Sequence, residues 1–465
     1  MFSQILQSAC DAPGAAILVV AGLLLAWTAT RRRLLAPTDY PSVAVGLPIF
    51  GNLFHYSKDP VSFIESATRK YGTCFAVPML MGSTIWLRSP RLNKEYLETR
   101  EDVWSFGDGM GMFLNKLLVP NYFDHLRAFV GSLSRGITRQ VTLDYYSEVA
   151  KEETLKALEH MSLHAEQGTD TELFEEVSFL VHKIIVRCLM GQDFYDHHVK
   201  ELFELLHVME ANVGSILHTI LPHWVPHKPA RELWAARDRV HEIFRLRLQE
   251  RELQPEVWRN APDYVAYTLR DPATAHLTSF YAAHHTLLMF AAHTSTVANA
   301  SWTILELLKS PERLNQLRME LATSTGITES PFLDALVKET GRHYSGNLDV
   351  RWARKGKALR DGNIVIPAGT IVSISPYLTH HDPETWTKAD SYYPERWIEQ
   401  PGLAQKLNDG TQLRYIPFGA GSHRCPGEKM ATVLTKTIVA TTAQNARLGW
   451  GRGGLITGHY KAGFL

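Results

Sequence analysis

Two periods of apolar residues run along this chain. Over residues 144–191 apolar side chains recur every three or four positions. That spacing gives an α-helix one buried face. The same period holds over 198–218, 229–253 and 277–309, and over a shorter stretch, 59–71, that ends at Gly72. Residues 75–88 (FAVPMLMGSTIWLR) instead read as a hairpin with Gly82 at the turn. Residues 360–373 alternate apolar with polar and carry Gly and Pro turn signals, which predicts two short strands. Residues 428–443 are helical in pattern, and a glycine-rich stretch near 449–454 follows. Helices dominate and strands are few. The expected fold is mainly α with minor β: one large helical domain with small sheets, built around a buried site.

The N-terminus breaks both periods. Residues 12–30 carry no charge and are long enough, at about 1.5 Å per residue, to cross a bilayer. Arg31, Arg32 and Arg33 follow at once, so the positive-inside rule puts them in the cytosol and residues 1–11 on the lumenal side. A cleaved secretory signal would carry its basic residues before the apolar run, and here they come after it. Pro37, Pro41 and Pro48 then stiffen a linker. The expected division is a lumenal segment 1–11, a single transmembrane helix 12–30, a basic and Pro-rich linker 31–52 and a folded domain 53–465.

Charge removes one class of partner. Lys plus Arg equals Asp plus Glu at 48 each, so no net charge drives binding to nucleic acid. The four cysteines, Cys10, Cys74, Cys188 and Cys425, are widely and irregularly spaced, with no CxxC pair. That argues against a disulfide framework or a zinc finger, and a cysteine that does chemistry here acts alone.

Cys425 is the candidate. It closes Phe418-Gly-Ala-Gly-Ser-His-Arg-Cys-Pro-Gly427, with Gly421 four residues before it and a helical pattern directly after. Glycines permit positive φ and close approach to a flat macrocycle. Amides at a helix start favour a neighbouring anion, here a thiolate. Phe418 would shield the sulfur from water. This pattern resembles the haem-binding signature of the cytochrome P450 family. The resemblance implies haem b (iron protoporphyrin IX) bound through the Cys425 sulfur, a thiolate that pushes electron density to the iron. It also assigns His423 to a haem propionate, with Arg424 as a second candidate.

Three companions extend the resemblance. Glu339-Thr-Gly-Arg342 puts two charges on one helix face. With Pro394-Glu-Arg396-Trp397 it resembles the family's ExxR helix and PERF segment, in which Glu339, Arg342 and Arg396 form a buried charge cluster. Arg351, or alternatively Arg354, matches an arginine at a strand start that pairs with a propionate. Phe290-Ala-Ala-His-Thr-Ser295 lies within the longest apolar helix and resembles the family's oxygen-side segment. There Thr294 and His293 would relay protons, while Ala291 and Ala292 leave room for O2. Arg127 is a further candidate for a propionate. His380-His381-Asp382, a conceivable zinc triplet, reads better as a loop whose side chains cap local backbone.

His-Thr on that helix, together with GxHRC at the cysteine, is similar to sterol 14α-demethylases. Gly341 inside ExxR and Ser345-Gly346 in place of the usual proline depart from that branch. The chain also ends soon after Gly458, so the last hairpin is expected to be short. The resemblance thus implies a monooxygenase for a hydrophobic small molecule, a terpenoid, sterol-like or polyketide intermediate of secondary metabolism. The alternatives are a sterol 14α-demethylase and a reductase-independent isomerase or dehydratase. O2 is a co-substrate. The chain has no flavin or nicotinamide fingerprint, so electrons come from a separate NADPH-cytochrome P450 reductase. The expected setting is the endoplasmic reticulum membrane, with membrane lipid around a single-pass anchor and the catalytic domain in the cytosol. Phe106, Phe113, Met289 and the segment after Arg342 are expected to line the pocket.

Overall fold

The apolar periods become helices at Gln140–Glu166, Leu173–Ile185, Gln192–Val213, Lys228–Leu253 and Tyr281–Lys309. The computed structural model describes residues 39–449 apart from 45, 48–49, 81, 115, 222–224, 325, 327–328, 347–348 and 361–363. The helical pattern over residues 144–191 is realised as two helices. Gly168 takes φ +73° between them, and the Glu172 carboxylate accepts from the Glu175 amide at 2.6 Å to start the second. Tyr281–Lys309, the central helix, is buried along most of its length. It packs against Leu173–Ile185, Lys228–Leu253 and the last helix, Glu428–Asn445.

The strands are β1 (Cys74–Met79), β2 (Gly82–Leu87), β3 (Trp104–Ser105), β4 (Asp349–Ala353), β5 (Lys357–Ala358), β6 (Val365–Ile366) and β7 (Ile371–Ile374). Five of them form one mixed sheet in the order β1-β2-β7-β4-β3, in which β2 and β7 run parallel. The predicted hairpin is β1–β2, with Met79 opposite Gly82, so Gly82 opens the second strand. The two strands expected over 360–373 are β6 and β7. They do not pair with each other: β6 pairs with β5, and β7 enters the large sheet. The mainly α expectation holds. No helix among the described residues is long and apolar enough to cross a membrane. The predicted span 12–30, the arginine triplet and the last hairpin lie outside the described residues.

Helix Leu173–Ile185 runs on into a π-helical turn, Val186–Met190, that stops at Gly191 (φ 110°, ψ 172°). Only glycine adopts that backbone readily. Beside it, buried Arg251 donates to the Asp263 carboxylate and the Met190 carbonyl, each at 2.7 Å. A Cβ on Gly191 would lie 2.4 Å from that guanidinium and 2.8 Å from the Asp263 carboxylate. Gly191→Ala is therefore expected to lower unfolding stability by about 1–3 kcal/mol from backbone strain alone. Chemical denaturation against the parent chain checks this.

Candidate active site

The cysteine loop is held by its own backbone. The Cys425 amide donates to the Phe418 carbonyl at 2.9 Å, and Gly419 and Gly421 take φ of +65° and +69°. A Cβ on Gly421 would sit 2.5 Å from the Leu97 carbonyl, so the close approach made there is to the end of helix Pro90–Glu98. Gly421 is not among the cavity-lining residues, whereas Phe418, Gly419 and Gly427 are. Cys74 and Cys188 are buried, and burial pushes the Cys74 thiol up to about 12. Cys425 is the exposed one of the three described cysteines, and it opens into the cavity it lines. Burial within the loop raises its thiol pKa. The amides of Gly427 and Glu428 and the Arg424 guanidinium oppose that rise, while the Glu428 carboxylate adds to it. A metal that binds this sulfur must displace its proton.

The cavity encloses about 480 Å³. One wall is a face of the central helix that includes Leu288, Ala291, Ala292, Ser295, Asn299 and Trp302. These positions recur every three or four residues, as one helix face requires. His293 and Thr294 lie on a neighbouring face. The Thr294 hydroxyl donates to Glu210 at 2.7 Å, and His293 Nδ1 is 2.9 Å from the same carboxylate oxygen. Phe106 and the Tyr344–Ser345–Gly346 segment line the cavity as expected. Phe113 and Met289 do not; Met289 is fully buried in the helical core, because its position on the helix turns it away from the cavity.

A buried charge cluster lies behind the loop. Glu339 accepts from Arg342 Nη2 at 2.8 Å, Arg396 Nε at 3.1 Å, Trp397 Nε1 at 2.9 Å and the Tyr393 amide at 2.9 Å. The arginines spend their other donors on carbonyls: Arg342 on His380, Ala389 and Ser391, Arg396 on Thr387 and Lys388. Every donor so placed offsets desolvation that the ion pairs alone could not. His380 carries the connection to the cysteine loop, since its Nε2 accepts from the Ile416 amide at 2.9 Å. Its neighbours His381 and Asp382 bond local backbone, and no metal-binding group of His, Cys, Asp or Glu occurs among the described residues.

The remaining candidates lie apart from one another. Arg351 is buried on β4 and donates to the carbonyls of Thr99 (2.9 Å) and Leu97 (3.3 Å). Its Nε is buried with no partner among the described residues. Arg354 pairs with Asp108 at 2.7 Å. Arg127 is exposed on the first turn of helix Leu126–Ile137. His423 lines the cavity, stacks on Phe106 at 4.6 Å and meets Glu101 at 3.0 Å.

These residues fit a haem. A lone cysteine with amides at its sulfur shares a cavity lining with the small side chains of Ala291 and Ala292 and with His423, while Arg351, with its unpaired buried Nε, is not among the lining residues. The profile of the family described as Cytochrome P450 matches residues 41–450.

The chain belongs to the cytochrome P450 family.

This P450 is 66% identical over 351 residues to cytochrome P450 monooxygenase pytD of Aspergillus terreus, which covers 74% of this chain and 92% of that relative. It is 48% identical over 442 residues to cytochrome P450 monooxygenase pynD of Aspergillus niger, covering 93% and 90%. The likeness to a sterol 14-alpha demethylase of Aspergillus flavus is more distant, 27% over 499 residues, covering 96% and 92%. The P450 is thus an oxidoreductase of a family that uses haem, O2 and an electron donor.

Sequence reasoning missed Glu210, Glu101 and the His380–Ile416 link. Glu210 meets His293 across 83 residues of chain, and Glu101 meets His423 across 322. Glu101 sits in Arg-Glu-Asp, which reads as a solvated charge run. Glu339 leaves the clearest test. Removing one partner of a buried ion pair costs about 3–5 kcal/mol, because the other charge stays buried. Glu339→Ala is expected to lose that much stability, measured by denaturation, and to bind haem poorly because the loop behind Cys425 loosens.

Proposed function

We propose that this P450 oxidises a hydrophobic small molecule, a terpenoid, sterol-like or polyketide intermediate of secondary metabolism. In this reading Cys425 holds haem b, and electrons arrive from a separate NADPH-cytochrome P450 reductase. Residues 12–30 anchor the chain in the endoplasmic reticulum membrane, with the catalytic domain in the cytosol. The observation that carries the reading is that Cys425 lines one apolar cavity together with Ala291 and Ala292 of the central helix.

When bound, haem supplies O2 activation and delivery of one oxygen atom to a carbon centre. The chain's residues do the rest. Amides of Gly427 and Glu428 would favour an anionic sulfur against the burial that raises its pKa, and Arg351 and His423 are the proposed partners of the haem propionates, with Arg127 a weaker one at the surface. Ala291 and Ala292 leave space beside the iron. Leu288, Met110 and Phe106 keep water away from an apolar substrate.

Protons are proposed to pass through Thr294 and His293, with Glu210 as their common station. His293 Nε2 is 3.1 Å from the Ser178 carbonyl, which can only accept, so Nε2 carries hydrogen. Nδ1 faces the same Glu210 carboxylate oxygen that the Thr294 hydroxyl meets. Burial works to raise the Glu210 pKa, but the His293 and Thr294 hydrogen bonds outweigh it and lower it. Glu210 is then held ionised to lower pH than an ordinary glutamate, and loses its hold on both residues as pH falls through that depressed value.

Sterol 14α-demethylation is the less favoured substrate chemistry. Gly341, Ser345 and Gly346, the positions that depart from that branch, all line the cavity. The relatives at 66% and 48% are named as monooxygenases, and the demethylase stands at 27%. A reductase-independent isomerase would turn over without NADPH, and its turnover would not depend on Glu210.

Two measurements test the reading. Cys425→Ser should abolish the thiolate-type band of the reduced carbon monoxide difference spectrum while circular dichroism stays unchanged; a persisting band removes Cys425 from the iron. Glu210→Gln should keep that band but lower NADPH-driven product formation by about 10²-fold, with peroxide released instead of product.

A further inference from the structure

Glu101 ties two parts of the site that the chain keeps far apart. Its carboxylate accepts from the Phe106 amide at 2.9 Å, the Gly107 amide at 3.1 Å and the Ser105 hydroxyl at 2.7 Å. These bonds satisfy donors at the start of helix Phe106–Leu114. The same carboxylate meets His423 Nε2 at 3.0 Å, in the cysteine loop. The Phe106 ring then stacks on the His423 ring at 4.6 Å and 18°. His423 is thus gripped on one edge by Glu101 and on one face by the first residue of the helix.

That helix faces the cavity through Phe106 and Met110. Its middle is held from the sheet side: a Cβ on Gly109 would lie 2.6 Å from the Val350 carbonyl, and Asp108 pairs with Arg354 at 2.7 Å. Its beginning follows directly on β3, which pairs with β4, and the Ser105 hydroxyl there accepts from the Asp108 amide at 2.9 Å; Glu101 supplies the acceptor for the Phe106 and Gly107 amides and the tie to the cysteine loop. Glu101 is half exposed, yet burial, which would raise its pKa, is outweighed by the four hydrogen bonds, which bring it down to about 2. The carboxylate is ionised at any working pH, so its bond to His423 is charge-assisted.

We propose that Glu101 is a positioning residue that fixes the cavity-facing helix Phe106–Leu114 to the cysteine loop through His423, and that the cavity's acceptance of bulky ligands depends on it. The proposal rests on Cys425 as the haem ligand, and its test separates the two. Imidazole and 4-phenylimidazole are titrated by their optical shift into the full chain and into Glu101→Ala. Imidazole is the smaller probe, whereas the phenyl ring of 4-phenylimidazole needs further room in the cavity that Phe106 and Met110 line.

The expected result is an unchanged carbon monoxide spectrum, an unchanged imidazole affinity and about tenfold weaker 4-phenylimidazole binding, the loss of one charge-assisted bond. Glu101→Gln, which keeps an acceptor for the two amides, should fall between the two and serves if the alanine variant does not fold. Equal weakening of both ligands, or of neither, overturns the proposal. Hydrogen exchange gives a readout that needs no iron. In Glu101→Ala the amides of 103–114 and of 419–427 should exchange faster together, while Pro90–Glu98 stays as it was. Faster exchange in 103–114 alone also overturns the proposal. A parent chain without the thiolate band would refute the role of Cys425 and leave the exchange result to judge Glu101.

Discussion

The site depends on one carboxylate buried between two guanidiniums. Glu339 has no access to water, and neither does Arg342; Arg396 has almost none. Such a group survives only if every charge is matched and every spare donor is used. The donors that the ion pairs do not use go to carbonyls of the 380–391 stretch, so the cluster doubles as a clamp on irregular chain. His380 extends the clamp to Ile416, at the base of the cysteine loop. The sulfur is thereby positioned by groups that never touch the cavity.

The opposite wall is organised differently. The central helix lends the cavity only one face, and small residues there create space. The next face turns His293 and Thr294 toward Glu210 on a separate helix. Small cavity-lining side chains and the pair bonded to Glu210 share a single helix because its 3.6-residue period separates them by rotation about the axis. Another part of the wall, from Phe106 to Met110, comes from a short glycine-rich helix whose first amides bond a glutamate just before it, and that glutamate in turn meets a histidine from a distant part of the chain.

Long periodic helices were legible from the chain because burial of one face dictates their spacing. Helices such as Pro90–Glu98, Phe106–Leu114 and Leu126–Ile137 were not. Pro90–Glu98 and Phe106–Leu114 are nine residues each, and Phe106–Leu114 carries three glycines that mask any period. The strands showed the same limit. Alternation over 360–373 revealed two strands, but alternation describes the faces of a strand and says nothing about its partner; β6 and β7 joined different sheets.

The linear sequence was enough to determine the cysteine motif, the charge pair on one helix turn, the candidate small residues of the central helix and the predominance of helix. Each is a local pattern, set by spacing along a chain of known geometry. Tertiary structure alone decided that Glu210 holds Thr294 and His293, that Glu101 holds His423, that Gly421 is reserved for the Leu97 carbonyl and that Met289 faces the core. Those outcomes join residues up to 322 positions apart. A charged side chain reads the same in sequence whether it meets water or a partner, and only packing determines which it meets.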